Sequence, residues 1–134
     1  MMQLSKNFKR EEFACKDANK TPVPRKYWKN LNRLVKNLQA LRDKVGRPVV
    51  ITSAYRTPEH NKAIGGASRS QHLFALAADV KVPGMLPMEV AATIEHLISE
   101  GKMDQGGVGI YTTWVHYDCR PYYDIDNPPR WDNR

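Results

Sequence analysis

Apolar residues recur every three or four positions between Tyr27 and Val45, at Leu31, Leu34, Val35, Leu38, Leu41 and Val45. That spacing lines them along one face of an α-helix and leaves Lys29, Arg33, Lys36 and Arg42 largely outside. Gly46 supplies a C-terminal cap and Pro48 follows, so the helix is predicted to stop there. A second helix is predicted from Pro87, with Val90, Ile94, Leu97 and Ile98 as its inner stripe and Gly101 as its end. Shorter helical turns are expected over 7–14, anchored by Phe8 and Phe13, and over 58–64, stopped by Gly65-Gly66. Between them, Thr21-Pro22-Val23-Pro24 is a loop, because each proline restricts itself and the residue before it.

The period changes elsewhere. Pro48-Val49-Val50-Ile51-Thr52-Ser53 is short and β-branched and predicts a buried strand, and Ala77 to Val82 predicts a second, ended by Pro83-Gly84. Gly107 to Tyr111 and Trp114 to Cys119 predict two strands joined at Thr112-Thr113, a plausible hairpin. Alternation puts Trp114, His116 and Asp118 on one strand face and Val115, Tyr117 and Cys119 on the other. After Arg120 the chain carries Pro121, Pro128 and Pro129 and is expected to be irregular. Helices outside a small, mostly antiparallel sheet make the expected class α+β.

Composition narrows the picture. A length of 134 residues suits one domain with a real core and is short for two. No apolar run approaches the ~20 residues of a membrane span, and Met1 to Lys6 shows no apolar leader, so the expected location as synthesised is cytoplasmic. The formal charge of +7 favours polyanionic surfaces, whether nucleic acid, cell wall or membrane. The basic residues are spread along the chain, however, and no helix-turn-helix, zinc knuckle or aromatic-basic RNA motif stands out. Specific nucleic-acid binding is therefore not expected. Two cysteines, Cys15 and Cys119, make neither a zinc ribbon nor a disulfide framework; free thiols are the expectation, with a single bridge left open.

The candidate chemistry lies in Ser70-Gln71-His72-Leu73-Phe74-Ala75-Leu76-Ala77-Ala78-Asp79 and in Trp114-Val115-His116-Tyr117-Asp118. Two imidazoles and one carboxylate (His72, His116 and Asp79) suffice to hold a catalytic Zn2+ and leave one coordination position open. A seven-residue separation would span roughly 23 Å if extended. The chain between His72 and Asp79 must therefore fold back, through a loop or helical turn, for both to hold one ion.

Several motifs occur together in one order: Ser53-Ala54-Tyr55-Arg56-Thr57-Pro58, Gly65-Gly66-Ala67, Ser70-x-His72 with Ala78-Asp79, Gly107-Val108-Gly109-Ile110-Tyr111, and Val115-His116-x-Asp118. Jointly they resemble the zinc D-Ala-D-Ala carboxypeptidase and L-alanyl-D-glutamate endopeptidase family, which includes phage endolysins and vancomycin-resistance dipeptidases. The segment from Asn7-Phe8 to Phe13-x-Cys15 resembles the short phage and prophage branch. The resemblance covers nearly all of residues 5–120. It implies one Zn2+ held by His72, Asp79 and His116, a peptidoglycan stem peptide as substrate, and action on the wall after release or as part of a phage particle. A monomer is expected.

Arg56 matches the arginine that orients substrate and stabilises the transition state in the family; its fork suits a peptide carboxylate, and a structural salt bridge is its plainer reading. Ser70 could bond substrate or cap the His72 loop, and Gln71 is near enough to donate to substrate. Many relatives carry a carboxylate three residues before the last zinc histidine, to take a proton from water. That position is Thr113, which cannot do so. Asp118 has three readings, a general base, a group steadying a ligand or Arg56, or a plain surface residue. Asp104 is a further carboxylate to consider, while His60 and His96 lack motif positions and are expected to be structural or exposed. The hedgehog signalling domain shares this site architecture, so a zinc-containing wall-binding or structural phage protein without peptidase activity is the alternative.

Overall fold

A computed structural model describes residues 2–134. The predicted helices form as α1 (Trp28–Val45), α2 (Pro58–Ala63) and α3 (Pro87–Ser99). The strands are β1 (Val50–Ser53), β2 (Ala77–Lys81), β3 (Gly107–Ile110), β4 (Val115–Asp118) and β5 (Arg130–Asp132). They make one sheet in the order β1-β2-β4-β3-β5, antiparallel except for the parallel β3–β5 pair, and the class is α+β as expected.

α1 ends where the sequence predicts, with Gly46 in the left-handed region at φ 64° and its N–H donating to the Arg42 carbonyl. Leu31, Leu34, Leu38 and Leu41 are buried along its inner face, and Val90, Ile94 and Leu97 along that of α3. Both helices belong to the main core, to which the sheet contributes Val80, Val108, Val115 and Tyr117. Truncating one such leucine to alanine costs about 2–5 kcal/mol, because lost burial and a residual cavity add.

Strand alternation gives the sheet two faces with different chemistry. Ala78, Val80, Val108, Val115 and Tyr117 lie on the core face. On the opposite face the register sets Asp79 of β2 beside His116 of β4 and Gly109 of β3, with Ala77, Asp118 and Gly107 in the next row. The two β3 glycines clear this face. A Cβ on Gly107 would collide with the Asp118 carboxylate and the Arg120 guanidinium, and one on Gly109 with the Trp131 indole.

The chain after Arg120 is not wholly irregular. Residues Arg130–Asp132 pair in parallel with β3, Val108 opposite Arg130 and Ile110 opposite Asp132, and close that edge of the sheet. A three-residue edge strand preceded by Pro128-Pro129 is too short to show alternation, and Pro129 still contributes by accepting from the Val108 N–H. Cys15 and Cys119 are buried free thiols. No helix among the described residues is long and apolar enough to cross a membrane.

Candidate metal centre

His72 sits on a single 3-10 turn, Gln71–Phe74, that starts and stops for local reasons. The Ser70 hydroxyl caps it by accepting from the His72 N–H at 3.2 Å. Ala75, at φ 58°, reverses the chain, its N–H donating to the His72 carbonyl at 3.4 Å. This turn supplies the return that brings His72 back toward Asp79 on β2. The β1–α2 loop then clamps it: the Arg56 N–H donates to the His72 carbonyl at 3.0 Å, and the Ala54 carbonyl lies 2.7 Å from His72 Nδ1.

Asp79 and His116 reach the same place through sheet register, as direct partners on β2 and β4. Asp79 Oδ1 lies 3.3 Å from His72 Nε2 and 3.2 Å from His116 Nδ1. One donor atom from each of the three residues falls within 4.8 Å of the others, and all three residues are buried.

The outer nitrogens decide what the inner ones offer. A carbonyl only accepts, so His72 Nδ1 carries a hydrogen toward Ala54 and Nε2 keeps its lone pair when the ring is neutral. His116 Nε2 lies 2.7 Å from Asp118 Oδ2 and donates to it, which leaves Nδ1 with the lone pair. Two lone pairs and a carboxylate oxygen thus converge. A proton would satisfy one pair of these atoms, whereas a cation satisfies all three at once. The donor set therefore fits a metal of the zinc type.

The two imidazoles are not equivalent. Burial lowers the pKa of His72, and the Asp79 carboxylate does not fully offset it. Burial acts the same way on His116, but the bonds to Asp118 and Asp79 outweigh it and raise the pKa. The contrast follows from what each outer nitrogen meets, a neutral carbonyl in one case and a carboxylate in the other. Burial also disfavours the Asp79 carboxylate, yet the neighbouring His116 and His72 rings hold its pKa well below the usual range.

Asp118 is fully buried beneath His116. Its Oδ1 accepts from the Gly107 N–H at 3.0 Å, the Arg120 N–H at 3.2 Å and Arg120 Nε at 2.8 Å. Its Oδ2 accepts from His116 Nε2 and from Arg120 Nη2, both at 2.7 Å. Burial would raise its pKa, but the Arg120 and His116 bonds hold it well below the carboxylate range. Arg120 was not marked by the sequence reading. Its place two residues after Asp118 was the available signal.

Arg56 spreads its guanidinium over three acceptors: Ser53 Oγ at 3.1 Å, Asn61 Oδ1 at 3.2 Å and Asp79 Oδ2 at 3.3 Å. A bulge in the β1–β2 pairing between Ile51 and Ser53 brings Ser53 opposite Asp79. Arg56, Ser70 and Gln71 all line the cleft above the three donors, a space of about 530 Å³. The far wall is aromatic. Tyr111 stacks on Trp114 with ring centroids 4.5 Å apart, and Trp131 lies 5.0 Å from the His116 ring. The sequence reading gave none of these three rings a role.

Other candidates lie elsewhere. Asp104 is bonded to Arg33 and Asn37 of α1, so it belongs to a polar contact outside the cleft. His96 pairs with Glu100 on the exposed side of α3, and His60 sits on α2 without lining the cleft. Thr113 is exposed at the hairpin tip.

A buried His-Asp-His donor set at the floor of an open cleft, on a mostly antiparallel sheet, defines a candidate metallohydrolase centre. Residues 6–118 match the family model described as Peptidase M15, and the chain belongs to that family. No curated protein matches the chain.

Proposed function

We propose that the chain is a zinc-dependent peptidase that hydrolyses a peptide bond in peptidoglycan stem peptides, as a D-Ala-D-Ala carboxypeptidase or an L-Ala-D-Glu-type endopeptidase. The observation that carries this is the convergence of His72 Nε2, Asp79 Oδ1 and His116 Nδ1, with both outer imidazole nitrogens anchored. His72, Asp79 and His116 would hold one Zn2+. When bound, Zn2+ supplies Lewis-acid polarisation of the substrate carbonyl and lowers the pKa of water at its open position to about 7.

The protein's own groups have separable tasks in this reading. The Ala54 carbonyl and Asp118 fix the orientation of the two imidazoles. Arg56 steadies Asp79 through one arm of its fork and faces the cleft, where it would orient a substrate carbonyl or carboxylate. Ser70 acts by capping the His72 turn, and Gln71 is the neighbouring polar group toward substrate. Asp118 serves as the anchor of His116 and Arg120, since both of its oxygens are occupied and it does not line the cleft.

One observation favours a second reading. Among the described residues lining the cleft Asp79 is the one carboxylate, and it is already engaged, as one of the three metal donors and as the acceptor from Arg56. With Thr113 at the position where relatives carry an acid, no unengaged carboxylate faces the cleft. A zinc-containing wall-binding phage protein without peptidase activity has the same donor set. Mass spectrometry of muropeptides after digestion, with and without a chelator, separates the two. The peptidase reading expects chelator-sensitive products that identify the cleaved bond. Retention on peptidoglycan with no product at any zinc concentration would establish the binding reading instead.

A further inference from the structure

The Tyr111 hydroxyl is a polar cleft group without a task in the proposed function. Trp131 Nε1 donates to the Tyr111 hydroxyl at 2.9 Å. An indole N–H only donates, so the phenol oxygen must be the acceptor and its own hydrogen points elsewhere. Among the described residues that hydroxyl donates to no protein acceptor, while Tyr111 lines the same cleft as His72, Asp79, His116 and Arg56.

The ring is held from two directions. Trp114 stacks on it at an interplanar angle of 7°, and Trp131 fixes the oxygen end. Trp131 is itself seated by Gly109, whose missing Cβ makes room for the indole, and it packs on the ring of His116. One residue of β5 thereby ties the orientation of the phenol to that of a candidate metal ligand. Residue 131 lies beyond the stretch matched by the family model, which ends at residue 118.

We propose that the Tyr111 hydroxyl is a catalytic hydrogen-bond donor to the oxygen of the scissile carbonyl, and that Trp131 is its positioning residue. The proposal rests on the peptidase reading above. As water adds to the carbonyl carbon, the C=O π pair moves onto oxygen, and that oxygen accepts from Tyr111. The phenol keeps its proton throughout. When the C–N bond breaks the pair returns to C=O, and the departing amine takes a proton that came with the water. A preorganised donor of this kind acts where charge develops and needs no reorganisation at the moment of reaction.

The test uses the zinc-loaded full chain on purified muropeptides, with Tyr111→Phe, Trp131→Phe and the double variant. Tyr111→Phe should lower kcat by about 10²–10³-fold, the usual effect of losing one such donor, with KM, zinc content and Tm close to wild type. Trp131→Phe keeps an aromatic ring and removes the N–H, so it should lower kcat by a smaller factor. In the Tyr111→Phe background it should lower kcat no further, a non-additivity that a purely structural role would not produce. Wild-type kcat in active Tyr111→Phe protein overturns the proposal. A second readout is affinity for a phosphinate analogue of D-alanyl-D-alanine, whose charged oxygens mimic the developing oxyanion. Weaker binding by Tyr111→Phe supports the proposal even if wild type cleaves nothing, in which case the peptidase reading alone has failed. Equal affinity for both proteins, including no binding by either, overturns it.

Discussion

The two walls of the cleft are held in place by different physics. On one side Arg56, Asp79, Asp118 and Arg120 are buried or half-buried, and each is matched by a charged partner. Removing one member strands another, because the partner's desolvation is then uncompensated. On the side of Tyr111, Trp114 and Trp131, stacking and a single hydrogen bond set the geometry, and nothing there is charged. Removing a carboxylate or an imidazole from the polar wall should therefore reach metal binding, whereas changes in the aromatic wall should leave the metal in place and act on turnover.

The largest effects should come from the donor set. His72→Ala, Asp79→Ala and His116→Ala should each abolish stoichiometric zinc, measured by elemental analysis of purified protein. Zinc retained at one equivalent in all three would place the metal elsewhere. Trp131→Ala, made alongside them, should keep its zinc and so mark the boundary between the walls.

Asp118→Asn comes next. The amide cannot accept all five bonds that the carboxylate accepts, so His116 loses its fixed orientation. Zinc affinity is expected to fall by about 10–100-fold, with activity restored by excess zinc. A fall in kcat of about 10²–10⁴ at unchanged zinc affinity, with loss of the acid limb of the pH–rate profile, would instead identify Asp118 as a general base.

Arg56→Lys should retain zinc and lose about 10²-fold in kcat/KM, since one ammonium cannot replace a fork that reaches Ser53, Asn61 and Asp79 at once. Wild-type turnover would show that substrate positioning does not depend on the fork.

The smallest effect concerns the thiols. Burial pushes the Cys119 thiol up to about 12, so it stays protonated throughout the neutral and mildly alkaline range. Its reaction with a thiol reagent in the native protein should remain negligible from pH 7 to 9, where an ordinary thiol with pKa about 8.5 accelerates. Rapid labelling at pH 7 that pauses on refolding would contradict the buried placement.

How far each wall was legible follows from the same contrast. The long amphipathic helix could be read because six apolar residues repeat with the helical period and Gly46 ends them. The shared face of His116 and Asp118 followed from strand alternation, and the return between His72 and Asp79 from chain length alone. The saturation of Asp118 could not be read, because it depends on Arg120 and on the space left by Gly107, a contact across two strands. Trp131 was hidden for a related reason. Its role arises from a parallel pairing in a proline-containing tail, and no local period announces such a partner. Tyr111 stood within a quoted motif, yet its free hydroxyl is visible only once the indole donating to it is in place.

The most direct measurement titrates zinc into metal-stripped protein while following bound metal and product release from purified peptidoglycan in the same samples. The account predicts that both rise together and saturate at one equivalent of zinc per chain. Hydrolysis by the metal-free protein, or full zinc occupancy without product, would contradict it.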